Sequence, residues 1–482
     1  MSPQQRAPGR TGTPAPVAVS RVSISDPWPA SCNGTQTGIH YHNAPVEPFV
    51  AVDPTNPLHL IGVWQQDRWS DGGSSGLMAG VTTDLGRTWA TSFARFSACS
   101  GGIYDRASDP WVSFSPDGTA YQIGLGLKDN NLTVAVMVSR SSDGGFTWGD
   151  PATLILDPST SPSGSDKESI TADPNDAHFV YAVWDRISNT SAPVWFSRTT
   201  DGGATWEPSR MIYDTGNNGF SIGCQIGVLP DGTLVNMFVL SRASGEQVVV
   251  ARSTDHGATW STPIAVSRDG TIGTVDVRNQ RSIRTGAGIP AMAVDRASGA
   301  IYIVWTDGRF SGNQRDGIAL SKSTDDGVTW STPVQVNQAT NVQAFTPAVA
   351  VGAGGAVAVT YYDFRKATSA PGPLLTNYWR ATSVDGGSKW RETPLAGSFD
   401  MLSGPAVGNE PFLGDYQSIA PSGGAFVAFF VAANSGNTLN PSDVFASTLE
   451  RPGDTSSTGR TEVNLRPHRM EIERRRVPPG RE

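Results

Sequence analysis

The sequence predicts an all-β chain folded as a radial array of four-stranded antiparallel sheets, a seven-bladed β-propeller, and two observations predict it. The first is a turn pattern, Ser/Thr-x-Asp-x-Gly-x-Thr-Trp, that occurs six times: TTDLGRTW (82–89), SSDGGFTW (141–148), TTDGGATW (199–206), STDHGATW (253–260), STDDGVTW (323–330) and a degraded SVDGGSKW (383–390). Self-similarity of this kind signals a stacked or radial repeat. The second is the filling between copies, where a short apolar strand, an Asp-Pro or Asp-Gly turn and a more apolar strand recur. Examples are PFVAVDP with HLIGVW, SITADP with FVYAVW, and PAMAVD with AIYIVW.

Each copy of the pattern reads as a hairpin corner. The Asp carboxylate can accept hydrogen bonds from the backbone ahead of it, and the Gly takes the positive φ that other residues resist. One strand leads into the corner and another leaves it, as in GIALSKSTDDGVTW followed by STPVQVN. That makes four strands in each unit of roughly 55 to 70 residues, the arithmetic of a propeller blade. After the six units with a corner come YQSIAP, AFVAFFVAA and DVFASTLE, three strands with no corner and no fourth strand. TGTPAPVAVSR (11–21) matches STPIAVSR (261–268), a strand that follows a corner. The chain therefore divides into a disordered 1–10, a propeller over 11–449 whose N-terminal strand completes the last blade, and a disordered Arg-rich tail over 450–482. A six-bladed ring is the alternative.

Bulk properties exclude several functions. A net charge of −8, with no basic stripe within the repeats, argues against nucleic acid. The longest apolar run, Ala425 to Ala433, is too short to span a bilayer. MSPQQRAPGRTGTPAP lacks the apolar core of a secretory signal. With 53 Gly and 34 Pro, the composition suits short strands and tight turns rather than long helices. Of three cysteines, Cys32 and Cys99 fall in loops ahead of inner strands, where a bridge is one option, and Cys224 sits in a strand pattern as an inert buried thiol. A monomer is expected.

If the corners line one face of the ring, the loops after the second strands and before the first strands line the other. That second face collects Gln66, Asp67, Arg68, Asp185, Arg186, Asp307, Arg309, Asp363 and Arg365 after second strands. Before first strands it collects Glu47, Asp105, Arg106, Asp109, Asp166, Glu168, Arg281, Arg284, Glu410, Asp415 and Tyr416. Recurring Asp/Arg neighbours read first as ion pairs and turn locks. A mouth rich in carboxyl and guanidinium groups also suits an anionic sugar, gripped by Arg forks and worked on by carboxylic acids. His40 and His42 form a His-x-His pair, but spacing supplies no third ligand, so surface or capping histidines are expected and no metal or other cofactor.

The six corners are Asp boxes, and over residues 12 to 449 the chain resembles the sialidase (neuraminidase) superfamily of BNR-repeat proteins. The resemblance implies a secreted, exo-α-sialidase-like glycoside hydrolase acting on an acidic-sugar glycan. It implies Tyr416, the second residue of DYQSIAP, as nucleophile, since a neutral nucleophile suits an anomeric carbon that already bears a carboxylate. Asp71 in DRWSD falls where the proton donor lies, and Arg242 and Arg315 fall where two arginines hold the substrate carboxylate. Arg68, Arg106 and Asp109 fall in substrate-contacting stretches of the first two blades. Two departures stand out: VEPFV lacks the first-blade Arg, and Gly223 occupies the position of the Glu that serves the tyrosine. They leave open a non-catalytic glycan- or protein-binding propeller, or a polysaccharide lyase on a seven-bladed ring.

Overall fold

The computed structural model describes residues 17–34 and 36–449, so the expectations for 1–10 and 450–482 lie outside the described residues. The chain is all-β and propeller-type, and its sheets follow one another along the sequence. Val46–Val52, Leu60–Arg68, Ser74–Thr82 and Ala90–Ser92 hydrogen-bond in that order, as do Arg106–Phe114, Ala120–Lys128, Thr133–Ser141 and Ala152–Asp157. One residue pair, Ser74 with Ala107, joins these two groups into a continuous sheet. The same order recurs in Ser163–Ala172 to Arg210–Tyr213, Gly219–Val228 to Ile264–Arg268, Ala291–Val294 to Val334–Gln335, and Ala344–Val351 to Arg391–Asp400. Then come Ser418–Ser422, Ala425–Ala433 and Ser442–Leu449, and the fourth strand of that sheet is Val17–Arg21 from the other end of the chain. It runs antiparallel to Ser442–Leu449, with Val17 opposite Leu449 and Arg21 opposite Phe445.

Second strands are apolar on both faces because each sheet is covered by its two neighbours. Trp64, Trp184 and Trp305, on three such strands, have no exposed surface. Each hydrophobic cluster spans consecutive sheets, as where Ile123 and Val136 pack with Ile170 and Trp184. One cluster joins Val50 and Trp64 of the first sheet to Phe429 of the last and to Phe345 of the sheet before it, so the two ends of the chain share a core. Polar stitches reinforce this near the inner strands: Ser418 Oγ accepts from Val50 N at 2.7 Å, and Ser169 Oγ donates to Cys224 O at 2.8 Å.

The boxes are closed local networks. In the third, Asp201 Oδ1 accepts from Thr205 N at 2.9 Å, Oδ2 accepts from Thr205 Oγ1 at 2.6 Å, and Thr199 Oγ1 accepts from Gly203 N at 2.9 Å. The pattern repeats at Asp84, Asp143, Asp255 and Asp325. Trp260 and Trp330 turn back to donate their indole N–H to Gly257 O and Gly327 O of their own turns. In the degraded copy Lys389 stands in place of Thr: its backbone N–H still donates to Asp385 Oδ1 at 2.9 Å, the hydroxyl bond to the carboxylate is lost, and the neighbouring Ser388 hydroxyl donates to Asp385 O.

Cys32 and Cys99 are bridged, which ties the segment ahead of the first inner strand to the loop between the first two sheets. Cys224 is a buried free thiol beside Asp185. The Asp/Arg neighbours divide. Asp307 pairs with Arg309 and Asp363 with Arg365, as ion pairs at turns should. Asp185 does not pair with Arg186, which instead reaches Asp157; Asp185 points to the next sheet and accepts from Ser221 Oγ and Gly223 N. Arg68 likewise turns from Asp67 and donates to Gln65. Two neighbours in an extended strand point to opposite sides, which is why sequence adjacency misleads there.

Gly203 has φ +83°, and a Cβ there would meet Tyr121 Cε1 at 2.8 Å. Gly203→Ala should cost on the order of 1–3 kcal/mol in chemical denaturation while leaving ligand binding at the opposite face unchanged. A fully stable variant, or one that is stable but loses binding, contradicts this assignment of faces.

Candidate functional site

Five of the inner strands share one irregularity that builds the mouth. Their pairing to the second strand slips between Val46 and Phe49, Ser108 and Trp111, Asp166 and Ser169, Ile222 and Gln225, and Phe345 and Ala348. At each slip one residue has positive φ: Glu47 (52°), Asp109 (52°), Lys167 (51°), Gly223 (75°) and Thr346 (48°). These are β-bulges, which re-aim a side chain and often accompany functional sites. Pro follows Glu47, Asp109 and Thr346, where a bulge tolerates its missing N–H.

Three of the bulges bring charge together. The Lys167 ammonium lies 2.7 Å from Asp109 Oδ2, 3.0 Å from Asp415 Oδ2 and 3.7 Å from Glu47 Oε1, with its side chain only 8% exposed. Arg284 forks onto Asp415, Nε to Oδ1 at 3.0 Å and Nη2 to Oδ2 at 2.5 Å, and keeps 35% of its side chain exposed. Gln65 donates to Glu47, and Asp415 N donates to the other Glu47 oxygen at 3.1 Å. Tyr416, buried, lies beside Trp111 and directs its hydroxyl to Pro110 O at 3.3 Å. Glu168 is buried with both carboxyl oxygens lacking a hydrogen-bond partner.

This setting splits the carboxyl groups into two protonation classes. Burial and the charge of Asp109 push Glu47 up to about 8, despite Lys167. Burial and Asp109 push Glu168 well above the carboxylate range. Burial also raises Asp166; Lys167 opposes this and the charges of Asp109 and Asp415 add to it. Burial acts in the same sense on Asp415, yet Lys167 and Arg284 outweigh it and hold that carboxyl far below its ordinary value. Asp109 is likewise held low by Lys167 against burial. The Tyr416 phenol is pushed well up by burial and by the charges of Glu47, Asp109, Glu168 and Asp415. Two cavities meet here. One of about 390 Å³ is lined by Asp166, Lys167, Arg284, Glu410 and Asp415. A smaller one of about 130 Å³ is lined by Tyr416, Trp111, Gly223, Lys167 and Asp415.

The residues singled out by sequence are therefore distributed. Asp109 and Tyr416 belong to the buried cluster. Arg68 is buried near it, donating to Gln65 and lying 5.0 Å over the Phe412 ring. Asp71 and Arg106 form a separate pair at 2.7 Å, with Arg106 stacked 4.5 Å over Trp69 and Thr37 donating to Asp71. Burial would raise Asp71, but Thr37 and Arg106 bring it below its ordinary value. Arg242 and Arg315 line neither cavity. Arg242 donates to Tyr213 Oη at 2.5 Å and Arg315 to Thr340 O at 3.2 Å. Gly223, where a Glu was expected, occupies a bulge and donates its N–H to Asp185. Sequence reading missed Lys167. Its only signal was position, between Asp166 and Glu168 and two residues before the strand core SITADP.

Residues 113–359, about half of the chain, match the model of the BNR repeat-like domain. The chain belongs to this family. The resemblance to sialidase-like BNR-repeat proteins read from the boxes thus stands. This BNR repeat-like protein is 27% identical over 222 residues to a xyloglucanase of Acetivibrio thermocellus, covering 42% of this chain and 25% of that one. It is 27% identical over 221 residues to a xyloglucanase of a Paenibacillus species, covering 43% and 20%. The match thus spans a quarter or less of these curated relatives. Among solved structures it is similar to an α-L-arabinanase of Penicillium chrysogenum, with 12% identity, a TM-score of 0.48 and coverage of 90% of this chain and 99% of that one. It is also similar to a Hadza microbial sialidase, with 15% identity, a TM-score of 0.47 and coverage of 82% and 75%. Among the described residues no helix is long and apolar enough to cross a membrane.

Lys167→Met should destabilise the BNR repeat-like protein by about 3–5 kcal/mol near neutral pH, because Asp109 and Asp415 lose the cation that compensates their burial. Both carboxyls have depressed folded pKa values, so the stability they contribute is present above the unfolded value and lost as pH falls through the folded one. The gap between wild type and variant should then narrow in acid. Denaturation curves at several pH values test this; a constant gap, or none, contradicts it.

Proposed function

We propose that this chain is a glycoside hydrolase of sialidase type that cleaves an acidic-sugar glycan at the mouth formed by the inner-strand bulges. The observation that carries the reading is that Asp166 and Asp415 line one cavity with their pKa values pushed in opposite directions. Carboxyls separated in this way supply an acid and a base at one pH. Asp166 protonates the glycosidic oxygen. Tyr416 attacks the anomeric carbon and passes its proton to Asp415, which lines the same inner cavity and becomes a better base when Arg284 turns from it to the sugar carboxylate. Water then releases the sugar from the tyrosine. Arg284, exposed at the cavity wall, receives the sugar carboxylate, a role for which a guanidinium fork is suited. Asp71 is ionised beside Arg106, so it can donate a proton only when a ligand breaks that pair.

In the same reading the ring has seven blades. The support is the set of four-strand groups, with Val17–Arg21 as the outer strand of the last. The xyloglucanases matched over 222 residues fit a glycan as ligand. The rival is a propeller that binds a glycan without cleaving it, which the bidentate neutralisation of Asp415 by Arg284 would serve.

The test is a panel of fluorogenic sialosides, uronides, arabinosides and xyloglucan oligosaccharides. Turnover should be confined to acidic sugars. Asp166→Asn should lower kcat roughly 10²–10⁴-fold, and Tyr416→Phe should lower it by orders of magnitude. Because Asp166 acts as the protonated form of a raised carboxyl, wild-type turnover should fall as pH rises through that value, and a chromogenic leaving group that needs no proton should flatten the fall. Binding without turnover, or an active Asp166→Asn variant, would overturn the reading.

A further inference from the structure

Apart from the mouth cluster, the segment ahead of the first inner strand carries a second group of ionisable side chains that no step above uses. The chain crosses from Asp26 to Asn43 along the edge of the first sheet, where His40 forms an isolated bridge to Trp69. This bridge places alternate residues His40 and His42 on one side, with their rings 4.2 Å apart. The His40 ring stacks on Trp69 at 4.2 Å and an interplanar angle of 17°, which fixes its orientation. Its Nε2 is engaged with Ser75 Oγ at 3.0 Å, which leaves Nδ1 for another partner.

Asp67, at the end of Leu60–Arg68, supplies what the sequence could not. Candidate ligand atoms of His40, His42 and Asp67 all lie within 4.8 Å of one another. Asp67 is fully buried, and its two oxygens differ. Oδ1 accepts from Asn43 N at 2.7 Å and Gln66 Nε2 at 3.0 Å. Oδ2 is buried with no hydrogen-bond partner. A buried carboxylate oxygen without a donor carries a substantial desolvation cost, and a cation removes it. Asp26 sets a second carboxyl near enough to Asp67 for the two to share a proton that a cation would displace, and its Oδ1 accepts from Trp28 N at 2.8 Å. Two imidazoles and the Asp67 carboxyl therefore converge, one imidazole half-buried and the other exposed, with Asp26 beside them.

We propose that His40, His42 and Asp67 bind a divalent transition ion of the zinc class, with Asp26 as the fourth donor. Imidazole nitrogen with carboxylate oxygen is a borderline donor set that favours Zn²⁺ and its first-row neighbours over Mg²⁺ or Ca²⁺, which take all-oxygen shells. Binding draws the side chains inward to bond lengths near 2.0–2.2 Å. The Asn43 and Gln66 bonds to Oδ1, and the Ser75 bond to His40, are the outer contacts that orient such ligands. The ion pins the segment between Val17–Arg21 and Val46–Val52 to the first sheet, near the Trp69–Arg106–Asp71 stack at the rim of the mouth.

Tag-free full-length protein, stripped with chelator, would be titrated with Co²⁺ as a spectroscopic probe and with Zn²⁺ in competition. One equivalent of Co²⁺ should give the intense ligand-field bands of a four-coordinate site, and Zn²⁺ should displace it. His42→Ala leaves a buried scaffold untouched because His42 is exposed, and it should weaken Zn²⁺ binding on the order of a hundredfold or more, the loss of an outer contact alone being 10–100-fold. Asp67→Asn should do the same, and Zn²⁺ should raise the Tm of wild type but of neither variant. An absence of four-coordinate Co²⁺ bands, or bands of undiminished affinity in His42→Ala, would overturn the proposal.

Discussion

The arrangement at the mouth depends on one buried ammonium. Lys167 sits among Asp109, Asp415 and Glu47, brought from distant parts of the chain, and without it the charges of Asp109 and Asp415 would repel one another in a region of little water. Charges this buried are compensated or neutralised, and both solutions appear side by side. Asp109 and Asp415 keep their charge because Lys167 and Arg284 balance it, whereas Glu47 and Glu168 keep their protons. The difference in protonation is a consequence of placement. It gathers a proton donor, Glu47, and proton acceptors, Asp109 and Asp415, around one ammonium.

Placement in turn follows from the β-bulges. A regular inner strand would alternate its side chains between the two neighbouring sheets. The left-handed residue at each slip breaks that alternation and turns Glu47, Asp109 and Lys167 toward the charged cluster. Backbone of this kind is costly for residues other than Gly, and its recurrence at corresponding positions shows that the surrounding ladders hold it. At Gly223 the same position carries no side chain, and its N–H serves Asp185 instead. The space beside it is part of the smaller cavity. The Asp boxes lie at the other end of the strands, where the bonds that shape each turn are local and side chains of the neighbouring sheet, such as Tyr121 on Gly202 O, fasten it. Stability at one end and chemistry at the other can therefore vary separately.

How much of this was legible in the sequence follows the range of the interactions. The box networks close within five residues, and the pattern predicts their backbone bonds to the Asp carboxylate and the positive φ at Gly, though not the hydroxyl bonds of Thr. The likeness of TGTPAPVAVSR to STPIAVSR points to an outer strand, and an outer-strand pairing is what Val17–Arg21 makes. Asp185 with Arg186 was misleading because adjacent strand residues face apart. Lys167 and the Asp67 oxygen were illegible, since their partners lie in other sheets or dozens of residues away. Glu47, Glu168, Arg284 and Asp415 could be placed at the mouth from strand order, but not which carboxyl keeps its proton. That depends on which cation lies within 3 Å, a tertiary fact.

The central claim is that one cluster holds some carboxyls protonated and others ionised at the same pH. Its most direct measurement is a ¹³C NMR titration of labelled side-chain carboxyls in the intact protein, assigned with Glu47→Gln and Asp415→Asn. Glu47 should titrate near 8 while Asp415 stays ionised throughout the acid range in which the protein remains folded. Both groups titrating together near the ordinary carboxylate value of about 4 would contradict the account.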